Sequence, residues 1–281
     1  MKKETRFKLA AFDMDGTTLN SQHVLSKKTI EMINKFSERG VKIIFATGRM
    51  ENAVMKHLEC INSDGLVVAH NGGLVKNIIS GEVLLKKTVV PEVVHEVMNF
   101  SNSQSSVLHF NLESGVYASK ENEHSTQYGK ELGINIETTD LTRYVHEEPI
   151  SLLLIDKKDK LHSYLQFMIH NYQNSFDYVF IPWKDSTWML QFLAPNTSKG
   201  QAVIDLSHQL GINPRKEVIS FGDSYNDIEM IEGTYFGVAM DNACKELKKV
   251  ANYVTKSNNA DGVAYVLEKI LMNENRFLCN L

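Results

Sequence analysis

Four short, largely apolar runs, broken only by Lys42 and Ser220, limit what this chain can become: Leu9 to Phe12, Val41 to Ala46, Leu66 to Ala69 and Val218 to Phe221. A strand with one wet face alternates apolar and polar residues. A run without alternation, closed by turn residues, reads as a strand covered on both faces, the pattern of a parallel sheet between helices. The segment joining the first two runs fits a crossover helix. Ser26 suits the N-cap, Ile30, Ile33 and Phe36 recur at helical spacing, and Gly40 suits the C′ position. The chain therefore opens with a βαβ unit, and βα units resume after residue 199. The fold class expected is α/β, a doubly wound parallel sheet.

The middle of the chain breaks this rhythm. Pro91 to Phe100 predicts a helix opened by proline. Ser106 to Phe110 and Gly115 to Ala118 predict a hairpin turning at Glu113-Ser114. Ser151 to Ile155, a helix from Lys158 to Tyr172, Tyr178 to Ile181 and Thr187 to Leu193 complete an α+β region. The 281 residues suit two domains. The expected division is a core of residues 1–84 and 189–281, interrupted by an inserted α+β cap over 85–188.

Thirty basic against 34 acidic side chains leave a net charge of −4, which excludes the basic excess of a nucleic-acid binder. Three scattered cysteines, Cys60, Cys244 and Cys279, form no C-x-x-C pair, which argues against a disulfide framework and fits a reducing compartment. The apolar run near the N-terminus meets Asp13 too soon for a signal peptide, and no window approaches a membrane span. A cytoplasmic protein is expected, with no nucleic-acid or membrane partner.

The four runs share their endings. The first stops at Asp13-Met14-Asp15-Gly16-Thr17 and the second at Thr47-Gly48-Arg49. The third stops at His70-Asn71-Gly72-Gly73 and the fourth at Gly222-Asp223-Ser224-Tyr225-Asn226-Asp227. Open parallel sheets bind ligands at the carboxyl ends of their strands, so all four endings share one edge. Asp13 and Asp15, two apart, can point to one side of an extended segment, and Asp223 and Asp227 add carboxylates. So much negative charge in one place needs a cation, and oxygen-only donors favour Mg²⁺. Gly16-Thr17 and Thr47-Gly48 offer amides to an anion, and Lys199 a positive charge. Carboxylates, Mg²⁺ and an anion cradle point to phosphoryl transfer. Walker, G-x-S-x-G, H-E-x-x-H and G-x-G-x-x-G signatures are all absent.

In order, Asp13-Met14-Asp15-Gly16-Thr17-Thr18-Leu19, Thr47-Gly48-Arg49, Lys199-Gly200 and Gly222 to Asp227 resemble the four motifs of the haloacid dehalogenase superfamily. Asn71-Gly72-Gly73, Gly237 to Met240 with Asn242-Ala243, and Tyr253 to Asn258 leading to Asp261 to Ala264 resemble its Cof-type, type IIB cap, phosphatases. The resemblance spans about residues 7–83 and 190–270. Thr18 departs from the usual Leu, and Asp241 from the usual Gly.

The resemblance implies a Rossmann-like core and a Mg²⁺-dependent phosphatase working through an aspartyl-phosphate. Asp13 would be the nucleophile. Asp15 would be the acid and then the base, its pKa raised by neighbouring carboxylates. Thr47 and Lys199 would hold the phosphoryl group. The metal would lie on Asp13, Asp15 through its carbonyl, and Asp223, with Asp227 on Lys199 or on a metal-bound water. Asn226, Gly48, Asn71 and Asn196 would contact phosphate or substrate.

Simpler readings stand beside these. Asn71-Gly72-Gly73 reads equally well as a tight turn, Lys199 alone as a surface lysine, and Arg49 as a salt-bridge partner at a helix start. The histidines, His109 among them, show no ligand spacing, and Phe110, Tyr117, Trp183 and Trp188 read as core. The substrate expected is a small phosphorylated metabolite. A phosphosugar mutase and a non-catalytic phosphometabolite-binding regulator are the competing readings.

Overall fold

The computed structural model describes residues 5–184 and 186–279. They form two compact units, one running up to Leu84 and resuming at Ser198, the other Leu85–Thr197. The first unit opens with β1 (Leu9–Phe12), α1 (Lys27–Ser37), β2 (Lys42–Ala46), α2 (Asn52–Leu58) and β3 (Leu66–Ala69). All four residues of β1 and of β3 are buried, as their unbroken apolar runs require. Ser26 caps α1, its Oγ accepting from the Thr29 amide at 3.0 Å. The helix buries Thr29, Met32, Ile33 and Phe36, leaving Ile30 half-exposed. Past its end Gly40 takes φ +84°, a conformation that favours glycine. Two strands absent from the apolar pattern follow, β4 (Leu74–Asn77) and β5 (Val83–Lys86).

The second unit contains α3 (Pro91–Gln104), β6 (Val107–Leu112), β7 (Gly115–Ala118), α4 (Glu123–Leu132), β8 (Ile136–Thr138), β9 (Ser151–Lys157), α5 (Lys158–Asn171), β10 (Asp177–Pro182) and β11 (Thr187–Leu193). Its six strands run in the order β10-β11-β9-β6-β7-β8, antiparallel except for β7 beside β8. Alternation splits this sheet into two faces. Leu108, Phe110, Leu152, Leu154, Leu190 and Phe192 pack with Val93, Val94 and Val97 of α3 and Leu161, Leu165 and Met168 of α5. The opposite face carries buried polar groups. His109 Nδ1 donates to the Leu153 carbonyl (3.2 Å) and Nε2 accepts from Ser125 (2.8 Å). Burial pulls that imidazole down to about 4, so it is neutral. The unit ends at Thr197 rather than at residue 188. β11 keeps register with β9 through Leu193, and the Thr197 amide donates to Asp177 at 2.9 Å.

The chain re-enters the first unit through α6 (Lys199–Gln209), α7 (Pro214–Glu217), β12 (Val218–Gly222), α8 (Ile228–Gly233), β13 (Phe236–Ala239), α9 (Lys245–Val250), β14 (Tyr253–Val254) and α10 (Gly262–Cys279). The eight-stranded sheet has the order β14-β13-β12-β1-β2-β3-β4-β5. It is parallel from β14 to β3, with β4 antiparallel to β3. This is a Rossmann-like doubly wound α/β core carrying an inserted α+β unit. Phe12 stacks on Phe221 at 5.1 Å and meets Phe45 at 5.9 Å, binding β1 to both neighbours. Each such fully buried ring contributes roughly 1.5–3 kcal/mol. Strand order reverses between β1 and β12, and a doubly wound sheet opens its ligand crevice at that reversal, beyond the carboxyl ends. Among the described residues no helix is long and apolar enough to cross a membrane.

Candidate active site

β1 and β12 deliver their next residues, Asp13 and Asp223, to that crevice. The Asp13 amide donates to the Phe221 carbonyl at 3.0 Å, so the ladder fixes where its side chain begins. Asp13 is 5% exposed. Its Oδ1 lies 2.7 Å from Lys199 Nζ, and its buried Oδ2 has no hydrogen-bond partner. Lys199 is the first residue of α6, whose cap Ser198 accepts from the Gln201 amide at 2.9 Å. The helix start buries the lysine to 1% exposure, its ammonium shared between Asp13 and Asp227 Oδ1, each at 2.7 Å. Asp227 Oδ2 accepts from the amides of Asp223 (3.0 Å) and Ser224 (3.1 Å), closing the turn after β12.

Asp13, Asp223 and Asp227 offer oxygens within 4.8 Å of one another. Burial, opposed by Lys199 and reinforced by Asp227 and Asp15, pushes the Asp13 carboxyl up to about 7. Burial with the charges of Asp13 and Asp227 pushes Asp223 up to about 9. Burial alone would lower Lys199, yet its two carboxylates hold it above the usual lysine value. One ammonium among three carboxylates leaves a negative excess that a divalent cation would neutralise. Two features fit a hard cation: an all-oxygen donor set and the space beside Asp223. That space depends on Gly16, at φ +77°, where a Cβ would lie 2.3 Å from Asp223 Oδ2. Thr17 Oγ1 donates to Asp223 Oδ1 at 3.0 Å.

Asp15 stands apart from this cluster. Arg49, 3% exposed, grips it with two nitrogens, Nε at 2.6 Å, and His23 Nδ1 lies 3.1 Å away. Burial works to raise its pKa, but the Arg49 and His23 bonds outweigh it and hold the carboxyl well below the usual range. This corrects the raised value expected from neighbouring carboxylates, because the side chain faces a guanidinium. It also takes the Asp15 carboxylate out of the acidic group. Arg49 is the salt-bridge partner that its place before a helix suggests.

The remaining residues fall into two sets. Thr47 is 1% exposed; its Oγ1 accepts from the Arg49 amide and its carbonyl from the Asn71 amide. Asn226 donates to Asn71 Oδ1 at 2.8 Å, and a Cβ on Gly48 would lie 3.0 Å from the Asn71 side-chain nitrogen Nδ2. Thr47, Gly48, Asn71 and Asn226 are therefore brought together. Asn196 belongs to the second unit, where its carbonyl accepts from Lys87. Sequence reasoning did not single out His23, which carries no motif signal. Nor did it give a role to Asn242 and Asn258, which tie down the loop after Asp13 through the carbonyls of Gly16 (2.8 Å) and Leu19 (2.9 Å).

Comparison with known proteins matches residues 10–267 to the family described as haloacid dehalogenase-like hydrolase. The phosphatase YwpJ of Bacillus subtilis is 27% identical over 298 residues, covering 94% of this chain and all of that protein. The 5-amino-6-(5-phospho-D-ribitylamino)uracil phosphatase YitU of the same organism is 26% identical, covering 95% of this chain and 98% of its own length. The solved structure of the subclass IIB sugar phosphatase BT4131 shares the fold with a TM-score of 0.80 at 24% identity, over 94% of this chain and 98% of that one.

Proposed function

This chain belongs to the haloacid dehalogenase-like hydrolases and is a phosphatase, and we propose that it hydrolyses a small phosphomonoester in two half-reactions through an aspartyl-phosphate on Asp13. The observation that carries this reading is the pair of oxygens on Asp13: one is held by Lys199, and the other is buried without a hydrogen-bond partner. A carboxylate oriented by one oxygen and free on the other is built to attack. In the first half-reaction Asp13 Oδ2 forms a bond to phosphorus, the bond to the leaving oxygen breaks, and Asp15 gives that oxygen a proton. In the second, Asp15 takes a proton from water, whose oxygen displaces Asp13 from phosphorus and releases inorganic phosphate.

The grip of Arg49 and His23 keeps Asp15 ionised, which suits the second half-reaction. Donation in the first requires that grip to open. Lys199 orients Asp13 and neutralises charge on the transferring group, with Thr47 and Asn226 as further phosphoryl contacts. Gly48 and Asn71 border that contact, and Asn196 remains a proposed substrate contact. Asp13, Asp223 and the Asp15 carbonyl would hold Mg²⁺, which when bound supplies positive charge to the phosphoryl oxygens. Asp227 has both oxygens engaged by Lys199 and two amides, so its proposed role is to hold Lys199. The second unit is the proposed cap and seat of specificity, with substrates such as sugar phosphates or the phosphorylated ribitylaminouracil named for YitU.

The test is steady release of inorganic phosphate from an aryl phosphate with Mg²⁺, then from a panel of phosphorylated metabolites, with Asp13→Asn as control. Wild type should turn over only with the metal, and Asp13→Asn should lose at least about 10³-fold in kcat. Stimulation by added sugar bisphosphate instead of steady hydrolysis points to a mutase. No turnover, with Asp13→Asn binding sugar phosphates as tightly as wild type, leaves a binding protein and defeats the proposal.

A further inference from the structure

Three of the loops that carry the proposed chemistry meet at the turn that follows β3. After β3 the chain passes through three successive left-handed residues, His70 (φ 49°), Asn71 (φ 52°) and Gly72 (φ 101°). Only the last is glycine, so the turn persists because its surroundings over-determine it. The amides of His70 and Asn71 donate to the carbonyls of Arg49 and Thr47, each at 2.9 Å. Asn71 Oδ1 accepts from Asn226, and Gly72 packs so closely on Ser198 that a Cβ would sit 2.2 Å from its carbonyl oxygen. One turn thus touches the Thr47 loop, the Asn226 loop and the cap of the helix that begins with Lys199.

What lies beneath the turn is a buried ionisable pair. His70 is 1% exposed and Glu51 2%. Nε2 of the imidazole lies 3.5 Å from Oε2 of the carboxylate, and no hydrogen-bond partner is nearer to either atom among the described residues. Lys76 Nζ approaches the other carboxylate oxygen at 3.5 Å. Burial alone would raise the Glu51 carboxyl; His70 and Lys76 outweigh it and hold it below the usual value. A charged carboxylate kept out of water needs a partner, and the imidazole faces it.

We propose that Glu51 and His70 act as a positioning pair: the carboxylate anchors the imidazole, and with it the left-handed turn, so that Thr47 and Asn226 are presented together to the phosphoryl group. This rests on the reading of Thr47 and Asn226 as phosphoryl contacts. Neither Glu51 nor His70 touches the acidic cluster, so the pair acts on phosphate binding and not on the metal.

The experiment uses the full chain with Mg²⁺ and inorganic phosphate as probe. Glu51→Gln, His70→Asn and the double variant are compared by phosphate inhibition, by kcat and KM for an aryl phosphate, and by calorimetric Mg²⁺ affinity. Asparagine tolerates left-handed backbone, so His70→Asn removes the imidazole without adding strain. Each single variant should weaken phosphate inhibition and raise KM about tenfold, the scale of losing one buried charged partner. Mg²⁺ affinity should stay within about twofold, and the double variant should match the singles instead of multiplying them. If one single variant fails to fold, the other decides. Unchanged phosphate inhibition, multiplying effects, or a parallel loss of Mg²⁺ binding overturns the pair. A wild type that neither turns over nor binds phosphate fails the phosphatase chemistry itself, whereas active wild type with unaffected variants fails only this pair.

Discussion

Stripping the divalent cation should make this protein less stable as pH rises through the neutral range. In the fold Asp13 is raised from 3.8 to about 7 and Asp223 from 3.8 to about 9, both led by burial among like charges. Unfolded, both ionise near the ordinary value. Between the unfolded and folded values the native state keeps a proton that the unfolded state has released, so stability falls with rising pH. The contribution is fully present below about pH 4 and is lost as the coupled pair ionises, through about 7 and then about 9. At ~1.4 kcal/mol per tenfold, the two raised carboxyls together are worth on the order of several kcal/mol, a large part of the 5–15 kcal/mol by which domains are typically stable. Lys199 does not offset this trend, because its raised value lies above the window and its charge is constant across it. A divalent cation binds the ionised carboxylates and must displace those protons, so its stabilisation grows with pH. At a hundred times Kd it contributes about 2.7 kcal/mol, or roughly 5–10 °C in melting temperature. Thermal melts at about pH 5.5, 7 and 8.5, with EDTA or with Mg²⁺, should show the EDTA curve falling and the gap widening. Asp223→Asn should flatten the EDTA curve and close the gap. A gap independent of pH, or an Asp223→Asn protein that still melts like wild type in EDTA, refutes the reasoning.

Gly16→Ala places a Cβ 2.3 Å from Asp223 Oδ2 on a backbone at φ +77°. It should weaken calorimetric Mg²⁺ binding by at least about tenfold while the second unit keeps its own structure; affinity equal to wild type counts against the proposed metal position. Arg49→Met removes the two nitrogens that hold Asp15 ionised. The Asp15 pKa should rise, moving the limb of the pH–rate profile that reports its deprotonation to higher pH; a limb that stays put means Arg49 does not control that proton.

β1, β3 and β11 were legible to the residue because their character is written in local pattern. The site's carboxylates were legible for a related reason: a parallel sheet sends every strand end to one edge, so spacing along the chain becomes proximity in space. β4 and β5 escaped because one is half-exposed and short and the other mostly exposed, with no run long enough to register. α4 escaped because Glu-His-Ser-Thr-Gln-Tyr-Gly-Lys-Glu-Leu lacks an apolar stripe; its ends are set by Asn122, which accepts from the Ser125 amide, and by left-handed Gly133. The charge state of Asp15 was misread because it depends on which way one side chain turns. Sequence shows the carboxylate beside it but not the guanidinium brought in from 34 residues away.

Asp13 and Lys199 are 186 residues apart, and the whole second unit is made between them. At a synthesis rate of ~5–20 residues per second, β1 waits roughly 10–40 s for the strand that covers its other edge. Through that interval a strand of four buried apolar residues, paired on one side by β2, exposes an open edge that invites pairing with other chains. A chain that stops before β12 has Asp13 but neither Asp223 nor Asp227, so it carries only part of the acidic cluster.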